Sequence, residues 1–277
     1  MHGAHDRSRT VPGAISDGGT AILPLLGLRQ PVPIYYLPCA EQRGLLFQPL
    51  LFHEFGHLLY QLHREEMDDL IWDLQRRITE GLQPAARRND RHAEGQRVQR
   101  RQIVETWYPW AQELFCDAVG LAIGGPAFLL ALSKHLSVVD ASSFYRRVPD
   151  LAMSSHPVTW LRVNLLSERA RELGYGAAAA DVEREWAVAA GALGVTEDYH
   201  GYYDRSFAAF VRRTVDDMLT EAGPRPCLPE EADGGGWGPA GGSMPGLFNA
   251  AWQRYLQDKD DYWAWEQSTI HQFLGQP

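Results

Sequence analysis

The sequence predicts a mainly α fold with, at most, a small β element. Apolar residues recur at helical spacing along most of the chain, from Leu50 onward. Clusters of Gly and Pro divide those stretches. A single β-prone run, PVPIYYLP from Pro31 to Pro38, stands between prolines, which confine it to an edge strand or an extended segment. The 277 residues suffice for one large domain or two small ones with a substantial core.

Taken in order, residues 1–20 are polar and glycine-rich and are expected to form a mobile tail. A helix is expected to open near Gln48 and Pro49, where proline suits a first turn, and to carry Leu50, Leu51, Phe55, Leu58, Leu59 and Leu62. A second stripe follows with Met67, Leu70, Ile71, Leu74 and Ile78, and reads as core packing. The charged stretch 84–97 reads as a linker. The next helix runs from Gln99 or Thr106 to Ile123, with Pro109 as a kink or restart. Gly124, Gly125 and Pro126 end it and open another. Further helical patterns cover 157–173, 178–192 and 204–222. Residues 223–246 read as a long Gly/Pro-rich loop. The segment 247–277 is again helical, and its aromatics, among them Trp252, Tyr255, Tyr262, Trp263 and Trp265, are expected to dock it on the main domain, 21–222.

The formal net charge of −9 argues against a general affinity for nucleic acid. Three widely spaced cysteines, Cys39, Cys116 and Cys227, do not suit a disulfide framework or a cysteine-built metal site. The N-terminus lacks the apolar run of a signal peptide, and no apolar stretch reaches the roughly 18–20 residues of a membrane span. A soluble, cytoplasmic protein is expected.

The sharpest chemical signal is His53-Glu54-Phe55-Gly56-His57, an HExxH motif inside an apolar helix. Four residues turn a helix by about 400°, so the two imidazoles stand about 40° apart, one above the other. Both can then reach one tetrahedral zinc ion. Glu54, about 100° round from His53, can take a proton from metal-bound water without ligating. This points to a zinc metallopeptidase acting on a peptide or protein substrate.

Catalytic zinc takes three protein ligands and a water. His63 has the spacing of a third ligand in HExxHxxGxxH, the metzincin motif, but Tyr60 replaces the glycine that lets the chain turn back. A continuing helix would put His63 about 240° round from His57. Glu113 is the stronger candidate. The segment Glu113-Leu114-Phe115-Cys116-Asp117 resembles the ExxxD arrangement of the gluzincins, the thermolysin-like clan. That resemblance implies that Glu113 binds zinc while Asp117 orients a ligating histidine through its other ring nitrogen.

Three blocks in order resemble one gluzincin family, typified by the CAAX prenyl endopeptidase and the bacterial heat-shock membrane protease. They are HEFGH at 53–57, ELFCDAVGLAIGGPAFLLAL at 113–132 and SSHPVTWLRVNLL at 154–166. The resemblance covers about residues 50–166 and implies a zincin-like fold with an HExxH helix. It departs in Cys116, where the family usually has alanine, and in lacking the membrane spans of the best-known members. It implies a place for His156 near the active site, assisting the transition state or binding substrate; a helix-start histidine before Pro157 is the bland reading. Arg162 either holds a carboxylate or braces the cleft. Tyr199-His200-Gly201-Tyr202-Tyr203 is a further donor group or simply an aromatic turn. The expected reaction is peptide hydrolysis by a zinc-bound water that Glu54 activates. Its rival is a zinc-stabilised regulatory or binding module without proteolytic activity.

Overall fold

The computed structural model describes residues 44–82, 91–137, 141–232 and 242–274, apart from the side chains at 91–93 and 273–274, together with the backbone of three strands. The described molecule is mainly helical. The strands are β1 (Gly13–Ser16), β2 (Ala21–Leu25) and β3 (Val32–Pro38). β3 lies in the middle, parallel to β1 and antiparallel to β2. The edge position expected for this run is therefore not met. Pro33 falls opposite Pro24 and Pro38 at the strand's last position, which leaves Ile34–Leu37 with free backbone donors for pairing. The tail expected at 1–20 includes β1, and its other residues lie outside the described ones.

The helices follow as α1 (Leu51–Leu62), α2 (Arg64–Gly81), α3 (Arg91–Gly124), α4 (Pro126–Leu136), α5 (Val148–Met153), α6 (Thr159–Glu172), α7 (Gly176–Leu193), α8 (Ala208–Ala222), α9 (Pro229–Ala232), α10 (Met244–Gln257) and α11 (Lys259–Leu274). A 3-10 turn at Gln48–Leu50 with Pro49 leads into α1, which turns Phe55, Leu59 and Tyr60 inward. The helix does not continue past this point, contrary to expectation. It ends at His63, whose φ of −121° and ψ of 32° are not helical. Glu65 and Glu66 occupy the first turn of α2, where acids favour a helix start. Asp68 accepts the hydroxyls of Tyr60 and of Tyr108, the latter at 2.6 Å, which draws α2 onto α3. Met67, Ile71, Leu74 and Ile78 are then buried at helical spacing, as expected of a core stripe.

The long helix α3 has 34 residues and begins at Arg91. The expected linker at 84–97 is thus helical over its second part, while 83–90 lie outside the described residues. Pro109 neither stops nor restarts α3. The stop comes at Gly125, whose φ of +58° suits glycine and separates α3 from α4. The expected loop at 223–246 holds the short helix α9 and the start of α10, with 233–241 outside the described residues. The expected C-terminal helix is two, divided at Asp258.

Two apolar cores meet along α3. One joins Phe55, Leu59, Met67, Ile71, Trp107, Trp110 and Phe115 to α8. The other joins Leu45, Leu50, Phe128 and Trp186 to Trp252 and Tyr262 of the C-terminal helices. Trp252 Nε1 donates to the Leu46 carbonyl at 2.9 Å, and the buried carboxylate of Glu266 accepts the Leu45 N–H at 2.6 Å. The C-terminal segment thus docks through its aromatics, as expected, and holds the stretch that enters α1. Among the described residues, no helix is long and apolar enough to cross a membrane.

Candidate metal centre

Helix α1 crosses α3 at very close range. A Cβ on Gly56 would stand 2.6 Å from Cys116 Cα, so only glycine fits that position. This approach brings His53 and His57 onto the face of α3 that carries Glu113, Cys116 and Asp117, residues spaced i, i+3 and i+4.

Each histidine is held by its Nδ1 and turns its Nε2 toward Glu113. His53 Nδ1 lies 2.8 Å from Asp117 Oδ1, and His53 Nε2 lies 3.4 Å from Glu113 Oε2. His57 Nδ1 lies 3.3 Å from Cys116 Sγ, and His57 Nε2 lies 3.6 Å from Glu113 Oε1. Two ligands on a tetrahedral zinc, each about 2.0–2.1 Å from it, stand about 3.3–3.4 Å apart. The Glu113 carboxylate thus turns one oxygen toward each Nε2, at about that spacing. Glu113 Oε2 is buried among three basic side chains, with His156 Nε2 at 3.2 Å, His53 Nε2 at 3.4 Å and Arg162 Nη2 at 3.6 Å.

From α6, Arg162 reaches Asp117 with two hydrogen bonds, Nε to Oδ2 at 2.9 Å and Nη2 to Oδ1 at 2.7 Å. Its Nη2 also lies 3.6 Å from Glu113 Oε2. Asp117, Arg162 and His53 are all buried. Burial alone would raise the Asp117 carboxyl, but Arg162 and His53 overrule it and hold the group well below the usual carboxylate range. Burial alone would lower His53, yet its hydrogen bonds to Asp117 and Glu113 push it up to about 9. Glu113 is held down by His53, Arg162 and His156 against its own burial. Arg162 thus braces the site by holding a carboxylate, which joins the two roles considered for it.

The open side is different. His57 is half-buried and lowered by burial. Glu54 is half-buried and raised by burial. His156 is exposed, and its Nε2 lies 3.2 Å from Glu113 Oε2. The site is therefore a braced floor of Asp117 and Arg162 beneath a mouth lined by His57 and His156.

Of the residues read from the sequence, His53, His57, Glu113, Asp117, His156 and Arg162 come together here. His63 instead forms the junction of α1 and α2. The Tyr199–Tyr203 group is an aromatic turn: Tyr202 is buried and its carbonyl accepts Trp107 Nε1 at 2.8 Å, while the Tyr199 and Tyr203 rings meet edge-on at 5.6 Å. The contact of Cys116 with His57 was not anticipated, although its place between Glu113 and Asp117 on one helix face was a signal for it.

A second donor set overlaps the first. His53, His57 and Cys116 bring one donor atom each within 4.8 Å of one another. One fact favours Glu113 as the third donor: Cys116 lies on the Nδ1 side of His57, away from the Nε2 atoms that face Glu113. Compared with family models, curated proteins and solved structures, the chain matches none.

Proposed function

We propose that the chain is a metal-dependent hydrolase, with His53, His57 and Glu113 as the ligands. More narrowly, we read it as a zinc metallopeptidase of the gluzincin type, resembling the CAAX prenyl endopeptidase family in its three sequence blocks. The carrying observation is the convergence of both Nε2 atoms on Glu113 at 3.4 and 3.6 Å, with both Nδ1 atoms engaged elsewhere. Zinc bound there would polarise a carbonyl and lower the pKa of water. Asp117 and Arg162 orient the floor. Glu54 takes the proton of the attacking water and passes it to the leaving nitrogen. His156, at the mouth, donates to the oxygen that gains charge as the carbonyl is attacked.

Elemental analysis tests the first step. Protein purified without chelator is expected to carry about one zinc per chain, and failure to take up added zinc would end the proposal. Glu113→Ala should weaken zinc binding sharply, and His63→Ala should barely change it. Glu54→Gln should keep zinc and fold yet lose nearly all cleavage of a broad peptide library.

The Cys116 donor set supports one other reading, a zinc-stabilised regulatory or binding module. In that case Cys116→Ala would abolish zinc binding, Glu113→Ala would not, and the wild type would cleave nothing.

A further inference from the structure

A cleft of about 440 Å³ lies between α3 and the end of α5, its lining reaching Pro109 and Ser155. Gln102, Thr106 and Pro109 of α3 form one wall, and Ala152, Met153 and Ser155 form the other. Both walls lead to the donors. Glu113 lies one helical turn beyond Pro109, about 6 Å along the axis. His156 directly follows Ser155, and its Nε2 approaches Glu113 Oε2 at 3.2 Å.

The second wall is firmly held. Trp110 Nε1 donates to the Ser154 carbonyl at 3.1 Å, Arg146 Nη1 to Ser154 Oγ at 2.5 Å, and Ser154 Oγ to the His156 carbonyl at 2.6 Å. Met153, the last residue of α5 and next to this braced Ser154, nevertheless stands 86% exposed. A single exposed apolar residue is ordinary. At the rim of a cleft beside reactive groups, a flexible thioether is suited to gripping an apolar side chain. The cleft's ionisable lining residue, Glu105, is paired with Arg101 at 2.7 Å, so it offers little charge for a basic group. The neighbouring Glu113 and the chain's net charge of −9 disfavour an acidic one.

We infer that this cleft seats one apolar side chain of the peptide substrate, one or two residues from the bond that is cut, and that Met153 selects it. The offset follows from the spacing: about 6 Å of helix axis corresponds to one or two residues of extended peptide at about 3.3 Å each. This inference rests on the peptidase reading.

The test is cleavage of a positional-scanning peptide library by the zinc-loaded full chain, with cut sites read by mass spectrometry. Wild type should favour Leu, Met or Phe over Asp or Glu by about 10-fold or more at one fixed position within two residues of the cut. Met153→Glu should turn that position toward Lys and Arg by about 10-fold. Other positions, zinc content and melting temperature should stay unchanged, and Met153→Leu should keep the wild-type profile. A gain of basic preference cannot come from structural damage. Wild-type cleavage with an unaltered profile in Met153→Glu, or a loss spread over all positions without new preference, overturns the inference and leaves the peptidase reading standing. No cleavage by zinc-loaded wild type removes both.

Discussion

Asp117 has two partners that depend on it in different ways. It fixes His53 through Nδ1, and it neutralises Arg162, which is buried with it. These roles separate experimentally. Arg162→Met should destabilise the chain by about 3–5 kcal/mol in denaturant unfolding, because the Asp117 charge is left buried without its partner. The double variant Asp117→Asn, Arg162→Met removes both charges and should recover most of that stability. It should not recover zinc binding, for which a loss of about 10- to 100-fold is expected from the altered support of His53. Stability and affinity that fell and rose together in the two variants would show that Asp117 acts through folding alone. At this scale the HExxH spacing pointed to both histidines, and the gluzincin resemblance to Glu113 and Asp117. The Cys116 contact was hidden because a cysteine beside two acids gives no sign of which neighbour its sulfur meets.

At the scale of elements, the crossing of α1 and α3 decides whether the donors meet. Gly56→Ala would raise helix propensity by about 1 kcal/mol. It would also drive a methyl group into the Cys116 backbone, and overpacking of that kind costs about 1–3 kcal/mol. We expect a lower melting temperature and weaker zinc binding together. An equally stable variant with unchanged affinity would mean that the helices separate freely. Sequence periodicity located α1, α2 and the later helices because their buried stripes are regular. It failed where the deciding interaction was not periodic. The break at His63 depends on acids in the first turn of α2 and on hydroxyls reaching Asp68. The start of α3 at Arg91 lies in a charged stretch with no apolar stripe to mark it. The middle place of β3 reflects pairing on both sides, with β1 and β2, which a run flanked by prolines does not announce.

For the whole molecule, the C-terminal helices matter because they reach back to the entrance of α1. Trp252 and Glu266 hold the backbone of Leu46 and Leu45 across separations of 206 and 221 residues. Trp252→Ala should cost about 3–5 kcal/mol, as for other large buried aromatics. It should also loosen the proposed metal site, measured on zinc-loaded protein as faster zinc release to a chelator. Stability loss without faster release would show that the C-terminal segment only caps the second core. The aromatic content of 247–277 made docking legible from sequence, but not its target, since that pairing spans residues far apart in the chain.

The Cys116 thiol, sealed against Gly56 where α1 meets α3, is also a natural clock for opening of that crossing. In a chain carrying Cys39→Ser and Cys227→Ser, an alkylating reagent can reach sulfur only when the two helices part. The labelling rate then counts how often the donors separate, one molecule at a time and with no added probe. Zinc should slow that clock by the same factor by which it stabilises the closed crossing.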